Sequence, residues 1–563
     1  MISYSRDPEL EVHLGDIARK LGMNHVDMSR VICIRSQGSK SRYVLARCHT
    51  LPRIVQTAFK VPAHYLIEII SENFDKLSPE EQTKTLIHEL CLPEDEWIVL
   101  KNEGGLEIKQ IGEFIEKEFN SANIVNKTDD VEWIVPNSEY KALSYDLKNH
   151  EVVFAPITKL MRRLNKEKTV IKIITRDGRK IKVSRKHPLL YTKNPYSYDN
   201  TKYKVKVKIC PAKDITNLKG IPRLLELFAL PELEKNISKI NLEYLLKNTN
   251  EHNLTKKSGR GNIVIENGFI RRRWVKGIKI PLKFKLDREL GQFFGFYLSE
   301  GSIDNKSGAV SFSFGSKEKQ YKDFVKQILE KRFCAKPKER TLHNGTCTVI
   351  YANDKLLQFV IRDVFGFGEK SHHKKVPGFV YYAPLEFISG LLDGWFAGDG
   401  WTSYMKKYKS VYLSAFSKSP RLIFGILLLL SKLKVVGGLR RNQHDIRIQT
   451  YFLPRFYKHC KTLIKANNVH KFVKKIKPMK HIQRFKHTRC IRIRKVESES
   501  YKGKYFYNME IETHNNFMHA SGIFTHNCHI PKSFGGGFRH HRPYVNRRTV
   551  ERMYKLYKEA RQY

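Results

Sequence analysis

Two short stretches that lie far apart in the chain constrain its organisation most strongly. The first is His88-Glu89-Leu90-Cys91, and the second is His526-Asn527-Cys528-His529. If residues 91–527 were removed and the flanks joined, the junction would have the pattern H-E-x-x-H. The removable segment also begins with Cys and ends in His-Asn before a second Cys. Because two independent patterns share the same boundaries, we predict that residues 91–527 are an insertion.

A helix is predicted immediately before the first boundary. Ser78-Pro79-Glu80-Glu81 combines an N-cap residue, a proline suited to the first helical position and a capping-box glutamate. Residues four apart face the same side of a helix, so joining the flanks would let His88 and His529 reach one ion. Two imidazoles spaced in this way bind zinc, and Glu89 beside them would serve as general base for a metal-bound water.

The joined flanks resemble a family of small archaeal and phage metallopeptidases. That family has a third zinc ligand in an R-x-H setting, which matches Arg539-His540-His541. The resemblance favours His541 over His540 as the ligand and implies hydrolysis of a peptide substrate. A zinc-stabilised structural domain without turnover is the alternative, against which the retained Glu89 argues.

Local patterns predict a mixed host domain and a β-rich start of the insertion. In the first flank, Val31 to Arg35 and Tyr43 to Arg47 are strand-like, whereas His64 to Phe74 has helical apolar spacing. Beyond Cys91 the chain changes character, and Asp177-Gly178 has the composition of a hairpin turn. The strands predicted there are Val152 to Ile157, Lys168 to Thr175 and Lys180 to Leu190.

This β-rich segment, together with residues 485–527, resembles an all-β, Hint-type intein splicing domain. Three motifs carry the resemblance: Cys91 at the start, Ser184-Arg185-Lys186-His187 in place of a T-x-x-H element, and Gly522-Ile523-Phe524-Thr525-His526-Asn527 at the end. Ser184 stands where Thr is usual and keeps the hydroxyl. Asn508 stands where the family often has Asp, and an amide cannot act as a carboxylate acid or base.

The resemblance implies self-splicing without a cofactor, carried by side chains near the two junctions: Cys91, Ser184, His187, His514, His526, Asn527 and Cys528. The first Cys would form a thioester with the preceding residue. The serine would orient the scissile peptide while the histidine of its motif protonates the departing nitrogen. The second Cys would then take over the acyl group. Cyclisation of the asparagine, assisted by two nearby histidines, would release the segment.

The middle of the insertion contains two segments with small residues at helical spacing, each ending in an acid before a glycine. These segments, residues 290–301 and 388–400, resemble the two motifs of a DOD-type LAGLIDADG homing endonuclease, which implies an α/β domain. Closely packed helices would bring Glu300 and Asp399 together, and paired carboxylates suit Mg²⁺ at a phosphodiester. The alternative is two amphipathic helices with acid-glycine ends.

A lysine-bearing element lies between these two segments. His372-His373-Lys374-Lys375-Val376-Pro377 is similar to the corresponding element of the family. The resemblance implies that Lys374 or Lys375 polarises a water or a phosphate. A solvated run of charge is the alternative for each lysine.

The formal net charge of +47 predicts a polyanionic partner. Arg271-Arg272-Arg273-Trp274 and the basic strands predicted within Leu439 to Ile448 lie near the two motifs and are expected to contact phosphates. The resemblance implies that the partner is double-stranded DNA encoding the uninterrupted host junction. Two alternatives stay open: a degenerate middle domain that only binds DNA or RNA, and a charge that reflects a Lys-rich proteome.

The odd number of cysteines, 9, indicates a reducing compartment, and no signal peptide opens the chain. The longest apolar run, Leu422 to Leu430, is too short to cross a membrane and predicts a buried helix. We therefore expect a cytoplasmic, archaeal protein without a membrane partner. The predicted organisation is multidomain, with a small α+β zincin-like host split between the two ends. Its segments are host (1–90 and 528–563), splicing domain (91–225 and 485–527), linker or DNA-contacting region (226–284) and endonuclease (285–484).

Overall fold

The computed structural model describes most of the predicted insertion and part of the first flank. The described residues are 3–12, 28–37, 46–50, 56, 65–70, 91–122, 124–127, 131–192, 207–218, 220–234, 236–246, 262–342, 345–405, 410–460, 473, 476 and 487–526. Among these residues, no helix is both long enough and apolar enough to cross a membrane.

In the first flank, the described residues form a four-stranded sheet in the order β1-β2-β4-β3. Its strands are β1 (Ser3–Arg6), β2 (Val31–Gln37), β3 (Ala46–Thr50) and β4 (Tyr65–Ile70). The strand predicted at Val31 to Arg35 is confirmed. The helix predicted over His64 to Phe74 is wrong, because β4 occupies the centre of the sheet, parallel to β2 and antiparallel to β3.

The residues of β4 explain that correction. Ile67, Ile69 and Ile70 are β-branched and favour an extended backbone. Ile67 and Glu68 follow one another and are both buried, so both faces of the strand are covered. A strand buried on both faces lacks simple alternation, and its apolar spacing can imitate that of a helix. The helix predicted from Ser78 to His88 lies outside the described residues.

A second unit, which we call the β-domain, consists in its described residues of two sheets with one α-helix, α1 (Ile111–Asn120). Its core is aliphatic, and it includes Leu92, Ile98 and Met509, all with 0% exposure. The strands of its first sheet are β5 (Leu92–Pro93), β6 (Trp97–Asn102), β7 (Gly105–Gln110), β8 (Asn126–Lys127), β9 (Val131–Ile134), β10 (Lys141–Asp146), β11 (Glu151–Leu164) and β31 (Tyr505–Ile511). The strands of the second are β12 (Thr169–Thr175), β13 (Lys180–Val183), β14 (Pro188–Thr192), β15 (Lys208–Pro211), β16 (Arg223–Leu227), β30 (Thr488–Ser500), β32 (Asn516–Met518) and β33 (Phe524–His526).

The two parts of the β-domain are interleaved. β30 pairs with β12 and β16, β31 pairs with β5 and β11, and β33 pairs with β14. The chain leaves after β16 and returns before β30 at one place, where the Phe228 N–H donates to the His487 carbonyl over 2.8 Å. Everything between these residues is therefore inserted into a domain whose halves complete one another.

The strand predicted over Lys180 to Leu190 is in fact two strands, β13 and β14, separated by a turn at residues 184–187. Ser184 leaves the strand because its backbone N–H donates to the Cys91 carbonyl over 3.1 Å. The partner that causes this break is distant in sequence, so the local pattern gave no sign of it. The strand predicted over Val152 to Ile157 is confirmed within the longer β11, and the Lys168 to Thr175 strand is confirmed as β12.

The inserted residues form the unit that we call the middle domain. It begins with β17 (Lys239–Asn241), α2 (Leu242–Leu246), β18 (Ile263–Glu266), β19 (Phe269–Arg272), β20 (Ile280–Pro281) and β21 (Lys283–Lys285). A helix–strand–strand unit then occurs four times, in two pairs linked by a short helix, α5 (Lys355–Phe359). Its core is aromatic around Phe293, Phe294 and Phe365.

The first pair contains α3 (Arg288–Glu300), β22 (Gly301–Asp304), β23 (Ala309–Gly315), α4 (Lys319–Phe333), β24 (Lys338–Leu342) and β25 (Cys347–Asn353). The second contains α6 (Leu385–Asp399), β26 (Gly400–Met405), β27 (Ser410–Phe416), α7 (Pro420–Lys432), β28 (Gly437–Arg440) and β29 (Asp445–Ile448), and α8 (Leu453–His459) follows. Their sheets have equivalent orders, β22-β23-β25-β24 and β26-β27-β29-β28. The two halves are therefore an internal structural repeat.

Helices α3 and α6 pack against each other through glycines. A Cβ on Gly295 would lie 2.3 Å from the Leu391 carbonyl oxygen, and one on Gly394 would lie 2.3 Å from the Gln292 carbonyl oxygen. The backbones thus approach as closely as only glycine permits. Both predicted motif helices are confirmed, and both end at the predicted acid. The buried helix predicted over Leu422 to Leu430 is also confirmed, as α7.

A buried ionic cluster joins the β-domain to the middle domain. At the hairpin between β12 and β13, the Asp177 carbonyl accepts from the Leu439 N–H of β28 over 2.7 Å. Arg179 ion-pairs with Asp177 at 3.2 Å and with Glu226 at 2.5 Å, and Arg489 contacts the same two carboxylates. The Arg179 guanidinium also donates to the backbone carbonyls of Gly437 and Ser521, so it ties β28 to the loop before β33.

Candidate active sites

The first site lies where Cys91 enters the β-domain. Cys91 is buried, and its backbone is held on both sides by one residue, Ser184. The Cys91 N–H donates to Ser184 Oγ over 3.4 Å, and the Ser184 N–H donates to the Cys91 carbonyl over 3.1 Å. Since the Cys91 nitrogen belongs to the peptide bond with Leu90, the predicted scissile amide contacts the predicted serine directly.

His187 completes the turn that begins at Ser184. Its N–H donates to the Ser184 carbonyl over 3.1 Å, and its side chain is fully buried. Burial, reinforced by the nearby His526, lowers the pKa of His187 to about 3, although the Cys91 backbone partly opposes that shift. The imidazole is therefore neutral at pH 7, as a group that accepts and returns a proton must be.

The end of the insertion reaches the same turn through β33. Thr525 lies opposite Leu189 of β14, and its Oγ1 is 2.5 Å from His187 Nε2. His526 is buried opposite Asn516, whose side-chain amide donates to the His514 carbonyl over 2.7 Å. The structure thus brings His187 and His526 together and places the His514 backbone beside the strand that carries His526.

Asn508 lies in the centre of the β-domain, on β31. It is fully buried opposite Met161, and its Oδ1 accepts from the Met509 N–H over 2.8 Å. The side-chain oxygen thus accepts from the backbone of the next residue. Asn527 and Cys528 lie outside the described residues.

The second site lies where α3 and α6 end side by side. A Cβ on Gly398 would lie 2.8 Å from Glu300 Oε1, so the Glu300 carboxylate lies against the residue that precedes Asp399. Burial raises the pKa of Asp399 to about 6, although Lys374 opposes that shift. The C-terminal end of a helix also disfavours a negative charge, so this acid is held where its ionisation is costly.

Lys374 interacts electrostatically with both acids. Its ammonium is 3.4 Å from the Ser299 carbonyl and 5.6 Å from the centre of the Tyr297 ring, and the side chain is buried. Burial lowers the pKa of Lys374 to about 8, and Asp399 and Glu300 oppose that shift. A lysine with this pKa can hold or give up a proton near neutral pH.

Lys375 points elsewhere. Burial lowers its pKa, Arg421 lowers it further, and Glu107 opposes the change. Glu107 lies on β7, so the Lys375 side chain faces the β-domain and not the paired acids. Of the two lysines left open by the sequence, Lys374 is the one that the structure brings to Glu300 and Asp399.

The predicted zinc residues lie outside the described part of the chain: His88, Glu89, His529, His540 and His541. Among the residues that the structure does describe, no group of three or more His, Cys, Asp or Glu side chains is arranged to hold a metal ion. The zinc site stays a prediction.

Sequence reasoning missed Thr525 and Arg179. Thr525 occupies an inward position of a short strand, and such a residue is ordinarily part of the core. Arg179 follows a hairpin turn, where an arginine is usually solvated. The closeness of Thr525 to Asn527 was the one sequence signal available.

The fold and the first site define a class of protein in which both ends of a long insertion meet at one buried turn. Residues 98–527 match the family model of the intein splicing domain. This match covers well over half of the chain, and the chain belongs to that family. Residues 2–97 match the model described as "Putative phage metallopeptidase", so the first flank is metallopeptidase-like. The two matches meet between residues 97 and 98, shortly after Cys91, and the strand that follows Cys91, β5, pairs within the β-domain.

Curated relatives include an uncharacterised protein of Methanocaldococcus jannaschii, 24% identical over 408 residues, with 63% of this chain and 44% of the relative covered. A DNA-directed RNA polymerase subunit of the same organism is 24% identical over 386 residues, which cover 66% of this chain and 38% of the subunit. An ATP-dependent DNA helicase of Thermococcus kodakarensis is 24% identical over 265 residues, which cover 44% of this chain and 22% of the helicase. The chain spans less than half the length of these relatives.

Similar solved structures include a mini-intein from transcription factor IIB, 20% identical, with a TM-score of 0.22 and coverage of 26% of this chain and 73% of that one. The homing endonuclease I-DmoI in complex with DNA and Mn is 10% identical, with a TM-score of 0.25 and coverage of 32% and 99%.

Proposed function

We propose that this chain is a precursor that excises residues 91–527 by autocatalytic protein splicing. One observation carries the proposal: both ends of the interleaved β-domain contact the same buried turn. The Cys91 amide contacts Ser184, and Thr525, close to the other end, contacts His187. The reaction requires the two junctions to approach one another, and this convergence meets that need.

The first step follows from these contacts. The Cys91 sulfur attacks the Leu90 carbonyl carbon, the carbon–nitrogen bond breaks, and a thioester and a free amine result. The thiol proton is passed by way of His187 to the departing nitrogen, so protons and charge balance. Ser184 Oγ holds the amide nitrogen during the exchange.

The later steps use residues at the second junction. The Cys528 thiolate attacks the thioester, which moves the acyl group to Cys528 and frees the Cys91 thiol. The Asn527 side-chain amide nitrogen then attacks its own carbonyl carbon, and the peptide bond to Cys528 breaks. His526 and His514 assist this cyclisation, and an S-to-N shift leaves a normal peptide bond. No cofactor is required.

Intact-mass measurement of the expressed chain tests the proposal. We expect a ligated host and a free intein. Cys91→Ala should block ligation while permitting some C-terminal cleavage, and Asn527→Ala should prevent release at the second junction. An unprocessed wild-type chain across temperatures and reducing conditions would contradict protein splicing.

We also propose that the excised intein is a homing endonuclease that makes a double-strand cut in DNA encoding the uninterrupted host junction. The observation in favour is that α3 and α6 end side by side at Glu300 and Asp399, with Lys374 near enough to interact with both acids. Carboxylate oxygens are ligands that Mg²⁺ prefers, so this donor set fits the ion, which would supply positive charge at a phosphodiester. Lys374 would polarise a water or a phosphate oxygen beside it.

Basic, exposed strands supply the proposed DNA-binding surface. Strand β24 is exposed along its whole length and carries Lys338 and Arg340. Near β19, Arg273 and Trp274 are also exposed. Plasmids with the uninterrupted or the occupied junction, each incubated with the intein and Mg²⁺, provide the test. Equal cutting of both would exclude homing, and binding without cutting would support the alternative of a degenerate nucleic-acid-binding domain.

We propose further that the ligated host is a zinc-dependent metallopeptidase. His88, His529 and His541 (or His540) would hold the zinc, and Glu89 would act as general base. The metallopeptidase-like first flank supports this assignment. The alternative is a zinc-stabilised host without turnover. A purely structural zinc site needs no general base, so in that case Glu89→Gln should change neither the zinc content nor any other property of the host.

A further inference from the structure

We infer that Thr525 is a positioning residue for the first step of splicing, because its hydroxyl holds the His187 ring against the Cys91 peptide. The inference deepens the proposed splicing function and rests on it. It assigns a role to a side chain whose hydroxyl contacts His187, and it links the C-terminal strand to chemistry at the N-terminal junction.

The geometry fixes which ring nitrogen faces the junction. Thr525 Oγ1 lies 2.5 Å from His187 Nε2, and both side chains are fully buried. His187 Nδ1 is buried and has no side-chain partner among the residues that the structure describes, and the Cys91 backbone lies close enough to the ring to raise its pKa. With Nε2 engaged by Thr525, Nδ1 is the nitrogen left to serve the Cys91 peptide.

A hydroxyl suits this position because it can both donate and accept. While Nδ1 carries the proton, Nε2 is an acceptor and the Thr525 O–H donates to it. To accept the thiol proton at Nδ1, the neutral ring must instead carry its own hydrogen on Nε2, which donates to the same oxygen while Nδ1 takes up the thiol proton and passes it to the departing nitrogen. The ring therefore changes its protonation without turning, and only the hydroxyl hydrogen rotates.

The backbone around Thr525 leaves the hydroxyl little freedom to move away. Thr525 faces Leu189 across the β14–β33 ladder, and Leu189 is two residues beyond His187. The threonine and the histidine are thus set by neighbouring positions of one sheet. Threonine is β-branched, so few χ1 rotamers are open to it and the direction of its hydroxyl is restricted.

Valine has the shape of threonine without the hydroxyl, so Thr525→Val removes the hydrogen bond alone. In an Asn527→Ala precursor, thiol-induced cleavage at the N-terminal junction reports thioester formation. Thr525→Val should slow this cleavage about ten-fold, because a buried imidazole nitrogen loses its partner. Thr525→Ser should keep the rate within about three-fold, since serine restores the hydroxyl.

A matched control comes from the same sheet. Thr192 of β14 is equally buried, and its hydroxyl makes no hydrogen bond to any described residue. Thr192→Val should therefore leave N-terminal cleavage unchanged. In a Cys91→Ala precursor, cleavage at the C-terminal junction serves as a second control and should change less than about three-fold in Thr525→Val, since the proposed cyclisation of Asn527 is assisted by His526 and His514.

The outcomes separate the possibilities. Slow N-terminal cleavage with valine, rescue by serine and preserved C-terminal cleavage support the inference. An unchanged N-terminal rate with valine would overturn it, and so would equal loss of both cleavages, which would assign Thr525 a purely structural role. Failure of the parent Asn527→Ala precursor to cleave with thiol would instead contradict the splicing proposal itself.

Discussion

Replacement of Asp399 by asparagine should stabilise the middle domain at pH 7.5 while abolishing DNA cleavage. Asp399 is held at the C-terminal end of α6, where burial raises its pKa to about 6 despite the opposing effect of Lys374. At pH 7.5 the carboxyl group is ionised in a place that disfavours its charge. Asparagine has the shape of aspartate without the charge, so the variant avoids the free-energy cost of holding an ionised carboxylate at this buried position.

The magnitude follows from the pKa change. The shift from 3.8 to about 6 is roughly two units, equivalent to about 3 kcal/mol of destabilisation once the group is ionised. Asp399 is not fully buried, so solvent screening reduces the expected gain to about 1–2 kcal/mol. Because the folded-state pKa is the higher one, this cost is absent below pH 3.8. It grows between pH 3.8 and 6 and is complete above pH 6.

Hydrogen exchange of α3 and α6 peptides in a urea series measures the local free energy of unfolding. Wild-type and Asp399→Asn forms of the splicing-blocked Cys91→Ala, Asn527→Ala precursor would be compared at pH 4.5, 6 and 7.5. Asp323→Asn, an exposed aspartate on α4, is the matched control and should change little. A variant that is no more stable at pH 7.5, or a difference that does not vary with pH, would refute the reasoning. Retained DNA binding with lost cleavage is expected in parallel.

Three other perturbations test separate parts of the molecule. Gly295→Ala places a Cβ 2.3 Å from a backbone carbonyl of α6, so it should cost about 1–3 kcal/mol in urea unfolding and reduce DNA cleavage. The control Gly315→Ala, whose nearest neighbour is a flexible side chain at 3.4 Å, should be nearly neutral. Arg179→Met leaves the buried carboxylates of Asp177 and Glu226 with one arginine, so the free energy of unfolding should fall by about 3–5 kcal/mol and C-terminal cleavage should be slower. The control Arg176→Met, at an exposed position, should change neither quantity. The splicing-blocked precursor should bind far less zinc than the ligated host by elemental analysis, because ligation alone puts both proposed histidines on one helix; equal, tight zinc in both would show preassembly.

The helices of the middle domain were predictable because their signals are local. Residues 290–301 and 388–400 each contain small residues at helical spacing and an acid before a glycine. Helices α3 and α6 end at those acids. The proximity of Glu300 to Asp399 followed from close helix packing, which the glycines permit. The sequence could not decide between Lys374 and Lys375. They are adjacent residues in a loop, which has no periodicity that would predict which side chain faces the two acids.

The splicing site was predictable in its residues and less so in its local structure. Ser184 and His187 were identified from a motif, but the strand predicted through them is interrupted, because the Cys91 backbone pairs with Ser184. The strand β4 was mistaken for a helix because burial on both faces hides alternation. In each case the deciding contact comes from a segment that is distant in sequence.

Contacts between residues that are distant in sequence also explain why Thr525 and Arg179 were not predicted. Such contacts join the β-domain to the middle domain as well. A domain inserted between β16 and β30 needs only that its ends meet, as Phe228 and His487 do. Arg179 goes beyond this requirement, since it binds backbone carbonyls of both β28 and the loop that leads to β33. The strand that carries Thr525 is therefore anchored partly by the middle domain. Removal of the middle domain should then slow cleavage at the C-terminal junction even when a short linker rejoins β16 and β30, because Arg179 would lose its carbonyl partner on β28.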